Sequence, residues 1–248
     1  AFTNQDSERF DEWKNDKTSK VSVSATYPHE VLQTEDSTLA DKMWENLPDL
    51  LSESNENILP MIDVSGSMYG QPLAVAISLG MYLSERTKGE FKDLFLTFSS
   101  NPELVRIQGD TVKERLDNIS RANWGMSTDF TKAYEPTMIL VLSDMQFDES
   151  QHRHSQFQTH FSHMEEEYEK AGYDFPKIVF WNLDAHFGTP AKCSDSSVAM
   201  VSGYSPSIMK AVLNAEEFNP ISVMMEALKD IELDYTNLPE EFTYVLEN

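Results

Sequence analysis

A chain of 248 residues with 40% hydrophobic and 11% aromatic content has apolar surface for one large α/β domain or two small ones, and is expected to be globular. Its 19 basic against 42 acidic residues leave a formal charge of −23, which repels phosphate backbones and anionic lipid surfaces; the nearest thing to a basic cluster, Lys14, Lys17 and Lys20, lies in a polar segment. A single cysteine, Cys193, excludes an intrachain disulfide, no run reaches the ~20 apolar residues of a membrane span, and no secretory pattern opens the chain, so the expectation is a cytoplasmic location without membrane contact.

Residues 1–57 read as a polar lead-in segment rather than a domain. Within it Val21-Ser22-Val23-Ser24-Ala25 alternates like a half-buried strand, and Leu39, Met43, Trp44, Leu47, Leu50 and Leu51 recur at helical spacing. From Ile58 to residue 248 strand and helix patterns alternate, which predicts a mainly parallel sheet covered on both faces. Ile58–Asp63 reads as the first central strand. Pro72 suits a helix start, because its fixed φ fits the first turn and its missing N–H is not needed there. The helix it opens turns Leu73, Ala76, Ile77, Gly80, Met81 and Leu83 toward the sheet and ends at Gly89. Leu94–Phe98 is the second strand, and residues 104–107 return beside it as an antiparallel edge strand. A helix covers 111–119, and residues 137–144 form the clearest strand of the chain. Phe157, Phe161, Met164 and Tyr168 mark an amphipathic helix with Glu165, Glu166 and Glu167 on its solvated face. Lys177–Asn182 is a further buried strand, residues 198–201 a short last one, and helices follow near 206–214 and 220–231.

Two of these strands end on an aspartate, Asp63 and Asp144. In an open parallel sheet, ligands bind beyond the carboxyl ends of the strands, so two carboxylates would meet there if the strands are neighbours. Unpaired, they repel; a cation between them removes the conflict. Ser65 and Ser67 follow Asp63 at i+2 and i+4 and add neutral oxygens, with Gly66 easing the turn. In a third loop, Trp124-Gly125-Met126-Ser127-Thr128-Asp129-Phe130, Thr128 offers another hydroxyl. Two acids and three hydroxyls favour a small octahedral ion over a large one that wants bidentate carboxylates.

Asp63-x-Ser65-x-Ser67, then Thr128, then Asp144 resembles the metal-ion-dependent adhesion site (MIDAS) of the von Willebrand factor A domain family, over about residues 57–232 by order of elements. The resemblance implies a Rossmann-like three-layer α/β sandwich. It also implies that Asp63, Ser65, Ser67, Thr128 and Asp144 surround one Mg²⁺, with Mn²⁺ or Ca²⁺ as alternatives, and that an acidic residue of a protein partner completes the shell. Met68, Trp124, Met126 and Asp129, which flank these loops, are the expected partner contacts. Tyr27-Pro28-His29-Glu30, Ser100-Asn101-Pro102-Glu103-Leu104, Asn123-Trp124-Gly125-Met126-Ser127-Thr128-Asp129-Phe130 and Ser143-Asp144-Met145-Gln146-Phe147-Asp148 together further resemble the Ro-like (TROVE-related) proteins. There a helical-repeat portion precedes the A module and in Ro binds small noncoding RNA, so any RNA contact is expected from a domain outside this sequence. One departure is that only residues 130–135 lie between the threonine loop and Pro136. Either the family's helix there is cut to a single turn, or residues are missing at that point.

The resemblance implies a noncatalytic binding module. The competing expectation is a metal-dependent phosphohydrolase or phosphotransferase with Asp63 as nucleophile, against which stands Ser65, where such enzymes commonly carry a second acid. No lysine-bearing phosphate loop and no Gly-x-Ser-x-Gly elbow is present. His152, His154, His160 and His163 lack the cysteine or carboxylate pattern of a zinc site and are expected on a helix surface.

Overall fold

The computed structural model describes residues 6–16, 18–23, 26–52, 54–98, 104–121, 136–145, 166, 168–184, 198–205, 208 and 212–213. Three helices come first: α1 (Ser7–Asn15), α2 (Pro28–Leu32) and α3 (Ser37–Glu45). Then follow β1 (Ile58–Asp63), α4 (Gln71–Arg86), β2 (Leu94–Phe98), β3 (Leu104–Arg106), α5 (Val112–Ser120), β4 (Met138–Ser143), β5 (Lys177–Asn182) and β6 (Val198–Ser202).

The strands form one sheet in the order β3-β2-β1-β4-β5-β6, parallel throughout except for β3, which runs antiparallel to β2 at the edge. This is the mixed α/β architecture expected from the alternation of patterns. β1 and β4 lie side by side with Ile62 opposite Leu142. The chain winds outward from β1 in one direction through β2 and in the other through β4, so the crevice at the carboxyl ends of these two strands is the topological switch point, where ligands bind in open α/β sheets.

Alternate residues of each strand point to opposite faces. On one face Ile58, Ile62, Phe95, Leu140, Leu142, Val179 and Trp181 share a buried core with Val75, Leu79 and Leu83 of α4. On the other face Ile139, Val141, Ile178, Phe180 and Val198 form a second buried cluster, with Phe175 packed against it. The stretch expected to hold the helix of Phe157, Phe161 and Met164 lies outside the described residues, as do His152, His154, His160, His163, Cys193, residues 130–135 and the helix at 220–231. Residue 166 and residues 168–171 are helical, and residue 166 is exposed.

The lead-in segment packs onto the first face: Val23, Val31, Ala40, Trp44, Leu47 and Leu51 belong to the same core as the strands. Trp44 Nε1 donates to Glu85 Oε2 at 2.7 Å, and Glu85 pairs with Arg115 at 3.0 Å, which ties α3, α4 and α5 together. One expectation is corrected here, and one further helix is found. Residues 21–23 are not a strand; among the described residues no strand lies beside them to pair with, and the alternation seats Val23 in the core. Residues 7–15, which showed little apolar periodicity, are helical with no buried residue. Asp6 caps Arg9 N at 3.1 Å, and Lys14 reaches Asp36 at 2.6 Å, so polar contacts hold α1 in place.

α4 fixes the position of β1. Its first turn carries Pro72 as expected, and the preceding Gly70 has φ +100°, a conformation that favours glycine. Leu73 and Ile77 are only half-buried, while Val75, Leu79 and Tyr82 take the inner positions beside Ala76, Gly80, Met81 and Leu83. At Gly80 a Cβ would overlap the Ile62 side chain, 2.8 Å from its Cγ1, so the missing side chain lets α4 lie against the residue before Asp63. The helix ends at Arg86, before Gly89, and Thr87 Oγ1 accepts Ile58 N at 3.0 Å.

Candidate metal centre

β1 delivers Asp63 to the sheet's carboxyl edge, 2% exposed. One of its oxygens, Oδ1, accepts the N–H of Ser65 at 2.9 Å, the local turn that aspartate favours two residues before a backbone N–H. The other, Oδ2, accepts the hydroxyl of Ser143 at 2.5 Å. Because Ile62 faces Leu142, Ser143 arrives level with Asp63, and Asp144 follows one residue further along the same edge. Asp144 is fully buried, and its N–H donates to Met68 Sδ at 3.1 Å. The end of β4 is thus in contact with the turn that follows β1.

That turn is a single 3-10 turn, Gly66–Met68, with Met68 N bonded to Ser65 O at 3.1 Å. Ser65 and Ser67 are exposed, and their hydroxyl oxygens stand 3.1 Å apart. Adjacent ligands of an octahedral ion with 2.0–2.1 Å bonds are about 3.0 Å apart, so the two hydroxyls span one such edge. Two buried carboxylates and two exposed hydroxyls at this edge make an all-oxygen donor set of the kind a hard divalent cation takes. The residues described fit such an ion.

The structure therefore brings Asp63, Ser65, Ser67 and Asp144 to one edge of the sheet. Thr128, Trp124, Met126 and Asp129 lie outside the described residues. Among the described residues, no group of three or more His, Cys, Asp or Glu is arranged to hold a metal, so a cluster rich in acids or histidines is not what the chain presents there.

Two expectations about this turn are corrected. Met68 does not face a partner: it is fully buried, and the 3-10 turn directs its side chain inward, where the thioether accepts the N–H of Asp144. The exposed side chain is the next one, Tyr69, at 89%. An aromatic following an aspartate-serine turn gave no periodic signal, so only the helical geometry of the turn separates the inward residue from the outward one. Gly66 is not at a positive φ, and the space at its Cβ is open, so the turn itself does not require glycine there. The position beyond Asp144 is unusual, because Met145 has φ +60°, rare outside glycine, and its N–H donates to Ser143 Oγ at 3.0 Å.

The family described as a domain of unknown function (DUF7788) matches residues 57–240, which run from the start of β1 past the last described strand. The chain belongs to this family. It is also 29% identical over 235 residues to the "Uncharacterized protein L728" of Acanthamoeba polyphaga mimivirus, an alignment covering 85% of the chain and 41% of that relative. The chain thus spans well under half the length of this curated relative. Among solved structures, the crystal structure of the Deinococcus radiodurans RO (RSR) protein aligns with a TM-score of 0.46 and 15% identity, covering 79% of this chain and 38% of that one. Among the described residues no helix is long and apolar enough to cross a membrane.

Proposed function

We propose that this family member is a noncatalytic protein-binding module whose switch-point crevice holds one Mg²⁺, with Mn²⁺ and Ca²⁺ as alternatives. Asp63, Ser65, Ser67 and Asp144 are its ligands, as in a von Willebrand A adhesion site, and the sequence resemblance supplies Thr128 as the fifth. One observation carries the reading: two buried aspartates stand at the ends of adjacent strands, and two exposed hydroxyls 3.1 Å apart follow the first of them. When bound, the cation supplies positive charge to an acidic rim and accepts a carboxylate from the partner. The chain's own residues do the rest. Ser65 N and Ser143 Oγ orient Asp63, the open space at Gly66 admits the partner, and the exposed ring of Tyr69 gives it an apolar contact beside the rim. The formal charge of −23 keeps nucleic acid off this domain, so any RNA contact of a longer protein belongs to another part of it.

The test is Mg²⁺-dependent thermal stability at fixed ionic strength. A ligand at 100 times its Kd stabilises by about 2.7 kcal/mol. For a domain of this size that corresponds to roughly 5–10 °C in Tm. Asp63→Ala should abolish the rise, and an unchanged response in the variant removes the site from this position. Glutamate-bearing peptides should bind the wild-type chain in Mg²⁺ and not in EDTA, and binding insensitive to EDTA refutes the adhesion reading. Hydrolysis of p-nitrophenyl phosphate that disappears in Asp63→Ala would replace the binding module with a phosphohydrolase.

A further inference from the structure

We infer that Ser143 is the residue that sets ion size at this site, acting as a positioning group that never touches the ion. The inference rests on the metal-site reading above and extends it to selectivity. Three observations carry it. A serine hydroxyl has one hydrogen and can accept as well as donate. Met145 N–H donates to Ser143 Oγ at 3.0 Å, so that oxygen is already an acceptor. Its hydrogen goes to Asp63 Oδ2 at 2.5 Å, because an ionised carboxylate can only accept. Ser143 is fully buried, so water does not compete for either bond. The bond to Asp63 is short and charge-assisted, the strong class of hydrogen bond.

With Ser65 N on Oδ1 at 2.9 Å, the Asp63 carboxylate is gripped at both oxygens and its plane is fixed. Each oxygen keeps a lone pair for a ligand. A gripped carboxylate can offer one oxygen in a set direction, which suits a small octahedral ion. It cannot swing to give both oxygens to a larger one such as Ca²⁺, which commonly takes carboxylates in bidentate fashion. The same hydroxyl also holds the left-handed residue Met145 directly after Asp144, so one group fixes the backbone on both sides of the second acid. Ser143 thereby ties the aim of Asp63 to the aim of Asp144, and its loss loosens both.

The experiment measures Mn²⁺ binding to the full chain by electron paramagnetic resonance, with Ca²⁺ by competition, for wild type, Ser143→Ala, Ser143→Thr and Asp63→Ala, and takes the metal-free Tm of each. Removing a hydrogen bond that orients a metal ligand typically costs 10–100-fold in affinity. Ser143→Ala should lose Mn²⁺ affinity in that range and Ca²⁺ affinity by less, so the Mn²⁺:Ca²⁺ preference falls. Ser143→Thr, which restores the hydroxyl, should recover the preference. A residue that only supported the fold would weaken both ions alike, in step with the metal-free Tm. Mn²⁺ affinity within twofold of wild type in Ser143→Ala, or an unchanged ion preference, overturns the inference while leaving the site intact. Absence of saturable Mn²⁺ binding in wild type, or binding that survives in Asp63→Ala, removes the site itself and the role of Ser143 with it.

Discussion

His29 on α2 is 6% exposed, stacked on Tyr27 at 5.7 Å between ring centroids and edge-on to Tyr204 at 6.2 Å. Its Nδ1 makes no hydrogen bond among the described residues. Burial holds the imidazole pKa below its ordinary value, with the nearby Glu30 carboxylate opposing more weakly. The sign follows from proton counting. Between the lowered folded pKa and the unfolded value near 6.5, the unfolded chain binds more protons, so the contribution of His29 is complete above about pH 6.5 and is lost as the pH falls through that window. His29→Phe keeps a ring in the same place and removes both the titration and the buried polar nitrogen. It should hold or raise Tm at pH 7.5 and flatten the decline between pH 6.5 and 5; thermal melts across that range check it, and an unchanged acid limb refutes the assignment. The residues of the proposed site were more legible than this one. Asp63, Ser65 and Ser67 stand out because a carboxylate and two hydroxyls at alternate positions close an apolar run, whereas nothing in Tyr27-Pro28-His29-Glu30 says that the imidazole faces the core.

At the scale of elements, α4 lies close against β1 at Gly80. Alanine at position 80 would gain about 1 kcal/mol in helix propensity over glycine. It would also force a methyl into the Ile62 side chain, and overpacking of this kind costs about 1–3 kcal/mol. The expected net effect of Gly80→Ala is a loss of up to about 2 kcal/mol, or up to roughly 8 °C in Tm. A Tm at or above wild type would mean that Ile62 turns aside at no cost. The same packing explains what could be read from the sequence. β1, β2, β4 and β5 are short apolar runs bounded by turn residues, and burial on both faces leaves few alternatives for such runs. The edge strand β3 followed from its turn and its distance from β2. Residues 21–23 failed because period-two alternation describes a half-buried chain whether or not a strand lies beside it. α1 was missed because it buries nothing, so capping by Asp6 and the contact of Lys14 with Asp36 stand in for the apolar stripe that periodicity detects.

For the molecule as a whole, the decisive quantity is the formal charge of −23. Several of the basic side chains are already committed to local pairs, Lys14 with Asp36, Arg115 with Glu85 and Lys177 with Glu56, so the surplus of acid is spread over the surface and repels itself in the compact state. Charge could be counted from composition. Its distribution could not, since burial of Asp63 and Asp144 at the same edge of the sheet depends on β1 and β4 being neighbours. Screening separates the two contributions. Mobile ions shorten the reach of the repulsion from about 30 Å at 0.01 M salt to about 8 Å at 0.15 M, so Tm should climb with NaCl over that interval and level off beyond it. Mg²⁺ at the same ionic strength should add a further rise that saturates, because it comes from one site rather than from the surface. Asp63→Ala should keep the NaCl response and lose only the saturable part. A Tm flat in NaCl would show that self-repulsion is not a material cost, and an Mg²⁺ response that merely tracks ionic strength in both proteins would reduce the crevice to a structural turn.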